Sequence, residues 1–219
     1  DVTNLRYYSN SNLYTKEYFE LIKKRLNDNG VVSVWAPLSD IDEQDQKILM
    51  NTFREVFPNM SVWYMYHKLS HYLVYIGSEK ELRINYPDFE RRFNQEGVKK
   101  DLEEVGVTQY NLLNAMFLDG KGVKEYAAGS KTHTDNNPVL EFPDLTADNT
   151  YHFGENIGAV FERKTDPLPY ISGFESEAQK EKFVKEFRYE QVEVADNIIA
   201  GHTALLQSDG QNAALFYSR

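Results

Sequence analysis

Residues 31–38 read VVSVWAPL. The run is short, rich in β-branched residues and nearly continuous in its apolarity, and Pro37 stops it. A run of this kind predicts a strand buried on both faces, as in a parallel sheet. Upstream, Tyr18, Phe19, Ile22 and Leu26 recur at helical spacing across Thr15 to Leu26. Lys23, Lys24 and Arg25 place positive charge in the last turn of that helix, and Gly30 follows its end. Downstream, the acidic stretch Ser39 to Asp45 starts a second helix. Ile48, Leu49, Phe53, Val56 and Phe57 mark its apolar face and Pro58 ends it. Two strand-like runs come next, SVWYMYH at 61–67 and YLVYIGS at 72–78, with only KLSH between them. That spacing predicts an antiparallel hairpin. The order helix, strand, helix, strand, strand predicts an α/β sheet in which a parallel strand is followed by an antiparallel edge pair.

Beyond Glu79 the pattern changes. Residues 87–118 read as short helices broken at Gly97 and Gly106. A polar loop leads to a short strand expected at Val139 to Phe142, and 147–173 is mixed, with Pro167 and Pro169 making an irregular join. Residues 176–207 read as strongly helical, with a bend near Gly201. Small residues at Ala200, Ala204, Ala213 and Ala214 flank the turn at Ser208 to Gly210. The stretch 200–219 fits either one tetratricopeptide-like helical hairpin or an ordinary hairpin packed on the domain.

The 219 residues include 13 Phe and 15 Tyr and are 41% hydrophobic, which is enough for a substantial core. Cysteine is absent, so disulfides, thiolate zinc sites and cysteine nucleophiles are excluded. The formal net charge of -10 argues against a nucleic-acid partner, because phosphate contacts need clustered Lys and Arg. It suits a cationic small molecule or simply a well-hydrated surface. No window reaches the ~20 apolar residues of a membrane helix and no signal peptide is evident, so the expected compartment is the cytoplasm.

Chemistry-bearing motifs are sparse. Neither GxGxxG nor GxxxxGK[ST] occurs, so the nucleotide-cradling turn that opens a doubly wound domain is missing. The α/β part therefore looks like the second half of such a domain, whose sheet would expose a long apolar edge. His67 and His71 flank the predicted turn, which makes ordinary turn residues the default over a metal pair. His133 with Asp135 could be a ligand or acid–base pair, but a polar loop before Pro138 is the stronger reading. No Ser-His-Asp spacing argues for nucleophilic catalysis.

Taken in order, DVTN at 1–4, NLYTKEYFELIKKRL at 12–26, GVVSVWAPL at 30–38, FREVFPNMSVWYMY at 53–66 and TDNNPVLEF at 134–142 resemble the spermidine synthase-like aminopropyltransferases. The likeness is nearest to the bacterial branch often fused to a transporter-like membrane region. It covers about Asp1 to Phe142 in pieces. It implies the C-terminal half of a Rossmann-like methyltransferase fold over 1–80, a helical insertion with the TDNNPVLEF segment over 81–145, and a helical extension over 146–219. It also implies transfer of an aminopropyl group from decarboxylated S-adenosylmethionine to an amine such as putrescine.

By that resemblance, Asp1 is the proton acceptor of the attacking amine, which must be a free base. Asn4, Tyr14 and His67 fall at amine-contacting positions. Asn4 stands where the family has a second acid, Val34 where it has a glutamine, and His67 where polyamine-making members have a tyrosine. The nucleotide-binding residues would lie upstream of Asp1, so no cofactor is expected to bind this chain alone, and it is not expected to turn over by itself. The expected partners are an amine, a second copy, the missing N-terminal half and, in the parent protein, a membrane region that tethers it to the inner face. A non-catalytic assembly module and an S-adenosylmethionine-dependent methyltransferase on the same fold are the alternatives.

Overall fold

The structure is a computed structural model that describes Leu5, residues 10–39, 41–141 and 152–206, with side chains to Ala204. Asp1 to Asn4, residues 6–9, Asp40, residues 142–151 and residues 207–219 lie outside the described residues.

Helix α1 (Lys16–Lys23) starts where Thr15 accepts a hydrogen bond from the Tyr18 N–H, and it buries Phe19. It ends one turn earlier than the Leu26 boundary read from the pattern. Strand β1 (Val31–Pro37) leads through a short loop to α2 (Glu43–Val56). The Asp42 side chain caps α2 by accepting from the Asp45 N–H, which satisfies one of the orphan donors of its first turn. Strands β2 (Ser61–Trp63) and β3 (Tyr72–Ser78) follow, and they pair antiparallel, as the hairpin reading expects. Strand β2 is shorter than the 61–67 run, because Tyr64 and Tyr66 leave the ladder and enter the core.

The main sheet has the order β1-β3-β2-β5, where β5 is Met116–Asp119. All of its pairings are antiparallel. This corrects the expectation for VVSVWAPL. β1 lies beside β3, with Val34 opposite Tyr75, and its other edge carries no strand among the described residues. Val31 is 62% exposed and Trp35 is 52% exposed, so β1 is not buried on both faces. A continuous apolar run records affinity for neighbours but not how many are present.

Three further corrections fall in the second half. Strand β5 sits inside a stretch read as helical. It directly follows α5 (Gln109–Asn114), and Met116, Phe117 and Leu118 are fully buried, so the segment has no polar face to betray its period. Val139 to Glu141 is a turn rather than a strand, since the Leu140 N–H donates to the His133 ring; Phe142 lies outside the described residues. The bend expected at Gly201 is absent. The helix instead changes to a π-helical segment at Glu190–Ala195, between α8 (Glu177–Tyr189) and α9 (Asp196–Leu206). The hairpin suggested for 200–219 lies mostly outside the described residues, and 200–206 simply complete α9.

The intervening helices are α3 (Tyr86–Phe93), α4 (Glu96–Glu104), α6 (Gly120–Tyr126) and α7 (Phe153–Phe161). A two-residue β4 (Ile84–Asn85) pairs in parallel with β6 (Ile171–Ser172) above a small cluster of Tyr86, Leu113, Ile171, Phe183 and Phe187. The main core joins Phe19, Phe53, Phe57, Val62, Tyr75, Phe117, Phe153, Ile157 and Ile199. Phe53 is at its centre. Its ring meets Phe19 edge-on at 4.9 Å, Phe57 at 5.0 Å and Tyr75 at 5.7 Å.

Truncation of Phe53 removes contacts to α1, the end of α2 and β3 at once. Phe53→Ala is expected to lower unfolding free energy by about 3–5 kcal/mol, measured by urea denaturation. A loss below about 1 kcal/mol would show that this ring is not the centre of the core.

Candidate functional site

Two regions collect side chains with chemical potential. The first is an apolar groove of about 400 Å³ along the outer edge of β1, lined by Leu13, Tyr14, Tyr18, Ile22 and the β1 residues Val32 to Trp35. A 3-10 turn at Ser11–Tyr14 brings Tyr14 to this edge. Backbone groups along a strand point alternately to its two sides. The Leu38 N–H points inward, to the His71 carbonyl at 2.9 Å, whereas the Trp35 carbonyl faces the groove and accepts from the Tyr14 hydroxyl at 2.6 Å. Burial, with smaller effects from Tyr72 and Tyr18, pushes the Tyr14 phenol up to about 12, so it stays a neutral donor. Trp35 stacks at a tilt on Tyr72 with ring centroids 5.3 Å apart, on the open face of the sheet.

The sequence-derived candidates separate here. Tyr14 and Val34 line the groove, and Asp1 and Asn4 lie outside the described residues. His67 is on the turn after β2, not among the groove residues; burial, then Lys68, lowers its basicity. Among the described residues no three His, Asp or Glu side chains come together as a metal site.

His133 is buried and fully occupied by backbone. Its Nδ1 accepts from the Leu140 N–H at 3.3 Å, which leaves Nε2 as the donor to the Ser11 carbonyl at 3.0 Å. Burial lowers its basicity, against smaller opposing effects from Ser11 and nearby carboxylates. It ties the loop after α6 to the start of the chain's first turn. Asp135 meets α1 through its backbone N–H, which donates to Glu17 at 3.0 Å. The polar-loop reading accounts for both residues.

The second region lies at the carboxyl end of β1. Fully buried Asn156 of α7 donates to the Leu38 carbonyl at 3.0 Å and to the Ile41 carbonyl at 2.8 Å. That clamp holds the loop on either side of Ser39. The Ser39 hydroxyl is 3.0 Å from His71 Nδ1, and the His71 ring packs on Phe153, the first residue of α7, at 5.1 Å between centroids. Nothing in the sequence marks this pair, because 32 residues separate its members.

Other buried or helix-end polar groups have structural roles. Strand β5 runs into Asp119-Gly120-Lys121-Gly122 at the start of α6, an arrangement that could suggest a phosphate cradle. Asp119 itself fills that helix end by accepting from the Gly122 N–H at 2.6 Å and from the Tyr170 hydroxyl at 2.5 Å. A Cβ at Gly120 would lie 2.2 Å from the Pro58 carbonyl oxygen, so this glycine serves close packing. Glu190, at the start of the π segment, accepts from Tyr66 at 3.3 Å and from Asn111, and burial raises its carboxyl above the usual range. Lys164 is paired with Asp196 at 2.9 Å, and burial lowers its ammonium. His202 lies 3.3 Å from the Tyr64 hydroxyl, and burial takes its imidazole from 6.5 down to about 4.

Comparison of the chain with protein-family models, curated proteins and solved structures finds no match.

The depressed imidazole of His202 gives a pH dependence with a fixed sign. Above pH 6.5 both folded and unfolded chains hold it neutral. Between about 6.5 and 4 the unfolded chain takes up the proton first, so this residue draws stability away as pH falls through that window. His202→Gln is expected to give a shallower loss of Tm between pH 7 and pH 4.5 than the parent chain, by calorimetry. An unchanged slope would assign the acid sensitivity to other groups.

Proposed function

We propose that this chain is the C-terminal portion of a spermidine synthase-like aminopropyltransferase. The observation that carries the reading is the sheet order. Strands β1 and β2 flank β3, and both run antiparallel to it, so they share one direction and are joined through α2. An open β1 edge with an apolar groove beside it fits the place where the other strands of a Rossmann-like sheet would continue. The motifs LYT, WAPL and TDNNPVLEF occur in the family's order along this frame.

In this reading the parent protein moves an aminopropyl group from decarboxylated S-adenosylmethionine to an amine such as putrescine. The amine nitrogen attacks the carbon beside the sulfonium, and the Asp1 carboxylate accepts its proton. Asn4, Tyr14 and His67 border the amine. The co-substrate's adenosyl part is held by the missing N-terminal half. A cytoplasmic chain, tethered in its parent to the inner membrane face, belongs to the same proposal; among the described residues no helix is long and apolar enough to cross a membrane.

A second reading, an assembly module without catalysis, is favoured by one observation. The open face at β1 displays Val31 and Trp35 to solvent rather than shielding them. Either reading makes the β1 edge sticky, because unpaired strand groups beside apolar side chains recruit another strand. Tyr14 already occupies the Trp35 carbonyl, which leaves Val31 to Ser33 as the open part of that edge.

The 219-residue chain is expected to give no turnover with decarboxylated S-adenosylmethionine and putrescine, whereas the parent protein forms the aminopropylated amine. Asp1→Asn in the parent should reduce that rate about 10²–10⁴-fold. Turnover by the isolated chain would sink the proposal, and failure of the parent to bind the adenosyl co-substrate in calorimetry would favour the assembly module. The isolated chain should also self-associate through β1. A monodisperse monomer in light scattering at high concentration counts against that pairing.

A further inference from the structure

We propose that Ser39 and His71 form a nucleophile–base pair that can accept an acyl group from a short-chain ester. The proposal does not depend on the aminopropyl-transfer reading, and neither fails with the other.

Four observations carry it. The first is reach, since the Ser39 hydroxyl and His71 Nδ1 are 3.0 Å apart, within the range a serine needs to pass its proton to a base. The second is support for the serine. Asn156, fully buried, bonds the carbonyl of Leu38, the residue before Ser39, and that of Ile41. The third is support for the histidine. Its backbone carbonyl accepts from the Leu38 N–H at 2.9 Å, and its ring lies against Phe153. Serine and imidazole are thus held by the same two strands and by one helix, α7.

The fourth is location. The pair stands at the carboxyl end of β1, ahead of α2, where the chain passes from strand to helix. The nine-residue α7 begins at Phe153, the residue in contact with the His71 ring, so the helix N-terminus lies on the imidazole's side of the pair.

The chemistry balances without an added cofactor. Ser39 Oγ bonds to the acyl carbon while its proton passes to His71 Nδ1. Collapse of the tetrahedral adduct breaks the bond between the acyl carbon and the alcohol oxygen, and the alcohol leaves with the proton from His71. Water then adds to the acyl-serine with His71 taking its proton. Ser39 Oγ departs with that proton, and a carboxylic acid is released. Ser39 is only partly covered and His71 is exposed, so among the described residues the pair stands open to solvent, and a short acyl group is the fitting substrate class.

The test uses the whole 219-residue chain with two probes, 4-nitrophenyl acetate for turnover and an alkyl fluorophosphonate for covalent labelling read by peptide mass spectrometry. The adduct is expected on Ser39. Ser39→Ala should remove it and lower ester hydrolysis about a hundredfold. His71→Ala should slow labelling to a similar extent, and free imidazole should restore it. His71→Gln keeps a hydrogen-bonding side chain beside Ser39 but cannot take its proton. It should retain the parent circular dichroism and Tm while losing the label. Ser172→Ala, at an exposed serine on β6, should change nothing. Label on another residue, equal label on Ser172, or unchanged hydrolysis in Ser39→Ala or His71→Gln would overturn the proposal.

Discussion

The close approach of α2 to β3 at Gly77 sets the geometry of this protein. A Cβ at that position would lie 2.7 Å from both Phe53 and Phe57, so only a glycine lets the two rings lie directly on the strand. With the rings seated there, Phe53 reaches Phe19 on one side and Tyr75 on the other. α1, α2 and β3 are thereby fixed relative to one another by apolar contact, which has no direction of its own and depends on close fit. The strands β1 and β2 then take their places on the two edges of β3.

Much of this half of the fold was legible. Thr15 before an amphipathic run, the acidic start at 39–45 and Pro58 stop of α2, and two strand-like runs with four residues between them all encode local geometry, and each element is present. The direction of β1's pairing was not legible. VVSVWAPL looks the same whether a parallel or an antiparallel neighbour lies beside it, and its exposed Trp35 reads as core on hydrophobicity alone. Strand β5 was hidden by the opposite problem, because Met116 to Leu118 are buried all round and carry neither a period of two nor one of 3.6. The π segment at 190–195 has no signal in composition; it begins where Glu190 meets Tyr66 and Asn111, residues far away in the chain.

The site candidates divide along the same line. Tyr14, singled out as an amine-contacting position, stands at the edge of β1, bonded to the Trp35 carbonyl. Ser39 and His71 could not be found from spacing, since their meeting depends on the register of β1 against β3 beyond the last paired residues, with Ser39 two residues past Pro37 and His71 one before Tyr72. His133, which attracted attention as a possible ligand, is consumed by backbone groups instead.

Asn156 has a consequence for the order in which this molecule assembles. Its two bonds to the β1–α2 loop span 118 and 115 residues of chain, whereas the helices and the hairpin beside that loop close over far shorter distances. Closing so long a loop carries a large entropic cost that local structure does not offset until other contacts have shortened the effective distance. These two bonds therefore exist only once α7 has docked, and they are lost together when that helix lifts away.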